Sequence, residues 1–117
     1  MPSLQSVERI IGVKYADSQA VKLWRDKARV QAMSALSLAN NPEYVVFGVR
    51  NTKSLLGIIA VRDGDEIQLL HIAARDTGRE VLGLLISAVI DFAGKKRIRS
   101  PYPVPNWRKV GAEYWSR

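Results

Sequence analysis

The sequence predicts an α/β (α+β) domain built on a mixed, mostly antiparallel twisted sheet, with one long N-terminal helix and one central apolar helix. Three observations lead there. Apolar residues recur at three- and four-residue spacing over residues 21–39 and again over 81–92, the period of a helix that buries one face. Between these stretches lie three runs rich in Val, Ile and Leu, separated by short polar turns, as in an antiparallel meander. A length of 117 residues, with 47% hydrophobic and 25% charged, suits a single domain over residues 1–117.

Residues 7–15 carry Ile10, Ile11, Val13 and Tyr15 between short polar residues and predict a first strand, with Gly12 as a bulge. Asp17 or Ser18 then caps a helix, because either side-chain oxygen accepts from first-turn amides that lack partners. Val21, Trp24, Ala28, Ala32, Ala35, Leu36 and Ala39 form its apolar stripe, and Asn40, Asn41 and Pro42 end it. Three strands follow over residues 44–50, 55–62 and 66–74, joined by residues 51–54 and by Asp63-Gly64-Asp65. Residues 80–93 return to helical spacing through Val81, Leu84, Leu85, Ala88, Val89 and Phe92. Gly94 is suited to close that helix, and Lys95 and Lys96 to its negative end. Residues 97–99 begin another strand, after which Pro101, Pro103 and Pro105 forbid a long helix or a central strand.

Composition excludes several classes of function. With no cysteine and one histidine, His71, there is no disulfide framework, thiolate site or histidine cluster, so a metal enzyme is not expected. No apolar run approaches the ~20 residues of a spanning helix, so no membrane partner is expected. The start Met1, Pro2, Ser3 is unlike a secretory signal, and the expected compartment is cytoplasmic. The formal net charge is +7, and from residue 94 onward Lys95, Lys96, Arg97, Arg99, Arg108, Lys109 and Arg117 face Glu113 alone. Such a basic C-terminal surface concentrates polyanions: nucleic acid, an acidic protein or the phosphates of a nucleotide cofactor.

Three local features sharpen the prediction. Leu56-Gly57-Ile58-Ile59 sets a glycine within an apolar strand. Leu70-His71-Ile72-Ala73-Ala74 runs into Arg75-Asp76-Thr77-Gly78-Arg79-Glu80 and thence into the apolar helix. Near the end stands Trp107-Arg108-Lys109-Val110-Gly111-Ala112. In this order and spacing they resemble the GNAT N-acetyltransferase superfamily over residues 7–115. The first looks like the family's third strand. The second is similar to its fourth strand and pyrophosphate loop, Gln/Arg-x-x-Gly-x-Gly/Ala, with Arg75 and Gly78 matching and Glu80 at the Gly/Ala position. The last looks like its Tyr-x-x-x-Gly-Phe segment, with Trp107 for Tyr and Ala112 for Phe.

The resemblance implies a small, degenerate member that binds acetyl-coenzyme A or another acyl-coenzyme A. Its pantetheine arm would lie along Ile72, Ala73 and Ala74, and its pyrophosphate on the loop and helix start formed by Arg75, Thr77, Gly78, Arg79 and Glu80. Helix N-terminal amides suit phosphate, since they lack internal partners and sit at the positive end of the dipole. An ordinary strand-to-helix turn at Thr77 and Gly78 is the alternative. The amine attacks the thioester, backbone NH groups stabilise the oxyanion and an acid protonates the thiolate. The family's acid is the tyrosine matched by Trp107, and an indole NH does not give up its proton. Tyr102, Tyr114 or water is left for that step. His71 is the candidate base by its near-neutral pKa, against a structural role, with Glu66 and Glu43 as weaker candidates. Trp24, Trp107 and Trp115 read as core or interface aromatics.

The expected function is therefore acyl-coenzyme A-dependent N-acyl transfer, of acetyl first, to a small-molecule or protein amine. The alternative is a non-enzymatic module on the same scaffold that grips nucleic acid or an acidic protein with its basic C-terminal surface. A homodimer is a further expected assembly.

Overall fold

The computed structural model describes residues 5–52, 54–75, 79–100 and 115–116. Within them the order is β1 (Ser6–Arg9), α1 (Tyr15–Val21), α2 (Asp26–Ser37), β2 (Tyr44–Arg50), β3 (Leu55–Asp63), β4 (Ile67–Ala74), α3 (Arg79–Ala93), β5 (Ile98–Arg99) and β6 (Trp115–Ser116). The strands lie side by side in chain order, antiparallel from β1 to β4 and parallel from β4 through β5 to β6. This is the predicted α+β class: a mixed sheet with helices on both faces.

Each face has its own core. Val21, Trp24, Ala32, Ala35 and Leu36 of the N-terminal helical region pack with Val46, Leu55, Ile58, Ala60 and Ala73. Across the sheet, Leu85, Val89 and Ala93 of α3 pack with Val45, Val49, Ile59, Val61, Ile67 and Leu69. Strand alternation delivers neighbours such as Val45 and Val46, or Ile58 and Ile59, to opposite cores. That is why the three runs read as nearly continuous apolar stretches.

Four expectations about the N-terminal third are corrected. The first strand ends at Arg9, not residue 15. Gly12 is no strand bulge: it takes a φ of +88°, open to glycine, its NH meets the Ala39 carbonyl at 3.4 Å, and Tyr15 opens α1. The single long helix is two. After α1 the chain tightens into three-residue bonds, Leu23 NH to Ala20 C=O and Trp24 NH to Val21 C=O, and Arg25 is extended. Trp24 fills the core at this break, so one apolar stripe spans both helices. The predicted caps are replaced by Lys14, which makes no side-chain cap bond. Asp17 is instead buried in the first turn of α1, engaged by Arg50.

The C-terminal expectations fare better. Both hairpins form, with Asn51 NH bonded to the Ser54 carbonyl and Gly64 NH to that of Glu66. Gly94 takes a φ of +59° just past α3, and its NH bonds back to Ile90, as a glycine C-cap does.

Candidate functional site

The site lies on β4 beyond its pairing with β5. Among the described residues β4 pairs with β5 through Ile67↔Ile98 and Gln68↔Arg99, and residues 69–74 of β4 extend beyond that pairing. Alternate backbone groups of residues 72–74 face the β5 side of the strand, while the others are bonded to β3. On the β3 side the ladder is carried to the end of the strand by the Arg75 NH, which meets the Leu56 carbonyl at 2.8 Å. The Arg75 side chain is exposed there and reaches the Ser54 hydroxyl at 3.4 Å.

A bulge sets what this stretch presents. Ala60 pairs with His71 but Val61 with Leu69, which leaves Leu70 as an extra residue in β4. Before it, Ile67 and Leu69 face the α3 core; after it, Ile72 takes that side and Ala73 joins the α2 core. Simple alternation from Leu69 would aim His71 at α3. The extra residue turns it to α2, where its Nδ1 lies 2.6 Å from Oε1 of Gln31. Burial lowers the His71 pKa below its usual 6.5, which favours the neutral ring.

Gly57, opposite Ala74, brings α3 to the same place. A Cβ there would lie 2.4 Å from Cγ1 of Val81, 3.2 Å from Cδ1 of Leu85 and 3.3 Å from the Ala73 carbonyl oxygen. Only a glycine lets the first turns of α3 descend this closely onto β3. The N-terminus of a 15-residue helix is thereby held over the C-terminal end of β4, with Glu80 exposed in its first turn.

Of the predicted site residues, the structure brings His71, Ile72, Ala73, Ala74, Arg75 and the backbone of Arg79 and Glu80 to one end of the sheet. Thr77, Gly78, Tyr102, Trp107 and Tyr114 lie outside the described residues. Glu66 precedes β4 and Glu43 precedes β2, at the opposite end from Ala74, and Glu66 is paired with Arg99 at 3.3 Å. Lys96 is bonded to Asp63 at 2.8 Å, so two of the basic side chains after α3 already have acidic partners. Among the described residues no group of three potential ligands gathers for a metal, and no helix is long and apolar enough to cross a membrane.

Sequence reasoning missed Gln31 and Arg50. Gln31 falls three residues after Ala28 and four before Ala35, on the apolar stripe, and a polar residue at such a position signals a buried partner. Arg50 gave no local signal, since its partners Asp17 and Glu8 lie on other elements.

No protein-family model matches the sequence, and no curated protein sequence matches it. Solved structures do. The ribosomal-protein-alanine N-acetyltransferase of Brucella melitensis superposes with a TM-score of 0.63 at 19% identity, over 97% of this chain and 92% of that one. AAC(6')-Iy, in complex with the bisubstrate analogue CoA-S-monomethyl-acetylneamine, gives 0.59 at 16%, over 98% and 92%. A probable acetyltransferase of Staphylococcus epidermidis gives 0.61 at 12%, and this chain spans 66% of its length. With the sheet order and the placement of α3, these likenesses show that the chain has the fold of the GNAT acetyltransferases.

Proposed function

We propose that this chain is an acyl-coenzyme A-dependent N-acyltransferase that moves an acetyl group to an amine. The observation that carries the reading is the run of β4 beyond its pairing with β5, beside the N-terminus of α3. An exposed strand edge is a template of alternating donors and acceptors, which matches the amides of a pantetheine arm. A helix N-terminus matches phosphate. Both lie at one end of the sheet, and the bisubstrate analogue in AAC(6')-Iy shows that this fold takes a coenzyme A group in that protein.

Acetyl-coenzyme A, when bound, supplies an activated thioester carbonyl. Ile72, Ala73 and Ala74 hold the arm through their backbone, with Ala73 and Ala74 adding no more than methyl groups. Arg75, Thr77, Gly78 and Arg79 hold the pyrophosphate, and Glu80, being exposed, turns its charge to solvent. His71 accepts a proton from the amine, and Tyr102, Tyr114 or water protonates the leaving thiolate. Calorimetric titration with acetyl-coenzyme A, against free and desulfo coenzyme A, tests the reading. Saturable binding of the three in a one-to-one ratio is expected, followed by acetyl transfer to members of an amine panel; a folded protein that binds none of them rejects it.

A further inference from the structure

His71 is the one imidazole in the chain, and its two nitrogens have different surroundings. Nδ1 meets Gln31 at 2.6 Å, while Nε2 has no partner among the described residues, on a ring that is half-buried. The Gln31 atom placed against Nδ1 is its carbonyl oxygen, which only accepts, and this contact is a hydrogen bond in the tautomer that carries its proton on Nδ1. In the neutral ring that leaves the lone pair on Nε2. We propose that Gln31 is a positioning residue which fixes His71 as the Nδ1–H tautomer, so that Nε2 is the proton acceptor for the attacking amine. The inference rests on the acyltransferase reading.

Three further features carry it. The bulge at Leu70 is what aims the ring at α2, and Ala60, the residue opposite in β3, offers it only a methyl group. Gln31 stands on α2 next to the buried Ala32, so the amide is held by a packed helix rather than a loop. Among the described residues no charged side chain is bonded to it. The charged side chains of α2 are Asp26, Lys27 and Arg29, with Asp26 and Arg29 3.7 Å apart. Asp17 of α1 is engaged by Arg50, Arg62 and Asp63 close β3 at its far end, Arg99 of β5 is paired with Glu66, and Glu80 and Asp91 belong to α3 across the sheet. Burial lowers the His71 pKa, which keeps the ring neutral and able to accept.

In the reaction the acceptor's ammonium gives one proton to Nε2. The freed lone pair forms the C–N bond at the thioester carbonyl, and the C–S bond breaks with its electron pair on sulfur. The nitrogen sheds a second proton as the amide forms, the thiolate takes one up, and His71 returns its proton to solvent. The net products are the amide, the thiol and one proton.

Nitrogen-15 NMR of the His71 ring in the free protein, with pH profiles of kcat/KM, tests this. The wild type should show hydrogen on Nδ1 alone. Gln31→Leu should mix the tautomers and lower kcat/KM about tenfold, less than the ~10²-fold loss of His71→Gln, since general base catalysis contributes ~10²- to 10⁴-fold. Gln31→Glu should keep the Nδ1 proton, restore most of the activity and move the acidic limb of the profile to higher pH, because a carboxylate favours the charged ring. Hydrogen on Nε2 in the wild type, or a Gln31→Leu protein with unchanged kcat/KM and profile, overturns the proposal while leaving acyl transfer standing. A folded wild type that binds no acetyl-coenzyme A removes the acyltransferase reading, and the role of Nε2 with it.

Discussion

Arg50 at the end of β2 grips Asp17 in the first turn of α1 with both arms of its guanidinium, Nη1 to Oδ1 at 2.8 Å and Nη2 to Oδ2 at 2.5 Å, while its Nε bonds Glu8 of β1. One cation thus joins three elements across the β1 edge of the sheet. The bond to Asp17 is the main reason the Arg50 pKa rises above its ordinary value, against the opposing effect of burial, with Glu8 adding to it. Asp17 is only 4% exposed, so the pair is shielded from water on its acidic side.

Asp17→Ala should therefore cost about 3 kcal/mol of stability, the lower end of what removing one partner of a buried ion pair costs, because Glu8 still partners Arg50. Urea unfolding should show a lower midpoint with an unchanged slope. Glu8→Ala, at a more exposed position, should cost less than 1 kcal/mol, in the range of ~0–1 kcal/mol for surface pairs.

At Gly57 the expected outcome is overpacking. Gly57→Ala places a methyl group against Val81 and should destabilise by about 1–3 kcal/mol. Val81→Ala in the same chain should recover part of that loss, and a double-mutant cycle should give a coupling of at least ~0.5 kcal/mol. Strict additivity would mean that α3 does not rest on this glycine.

Stability should fall with pH through His71. Its folded pKa is lowered by burial, so the unfolded chain takes up the proton first as the pH drops below about 6.5. The contribution is fully present above that pH and is lost as the pH falls through the folded value. Urea midpoints measured from pH 8 down to 5 should show this decline in the wild type, and a shallower one in His71→Gln.

Gly78→Asp should weaken coenzyme A binding at least tenfold with little loss of stability, since it adds bulk and negative charge where the proposed loop faces phosphates. Paired calorimetry and thermal unfolding check it. Undiminished affinity in the folded variant would relocate the pyrophosphate.

The strands of the meander, their turns and α3 were legible because period, turn chemistry and a terminal glycine agreed with one another at each of them. The break between α1 and α2 was not. Residues 22–25 contain no proline or glycine, and Trp24 keeps the apolar stripe in phase, so the interruption follows from packing rather than propensity. Asp17 has the composition of a cap, yet a cation thirty-three residues further on claims it. In the candidate site, the resemblance located residues 71–80 on a strand and a helix start. The partner of His71 was hidden, because the bulge at Leu70 defeats counting by twos and Gln31 lies forty residues away.

That extra residue in β4 makes the pairing of a strand a carrier of chemistry. Deleting Leu70 would remove the bulge yet leave His71 and Ile72 on their present sides, whereas drawing Leu70 into regular alternation would exchange the two sides downstream: the imidazole would enter the aliphatic layer under α3, and Ile72 would meet the amide of Gln31. The same sequence, paired without the bulge, would present a different surface.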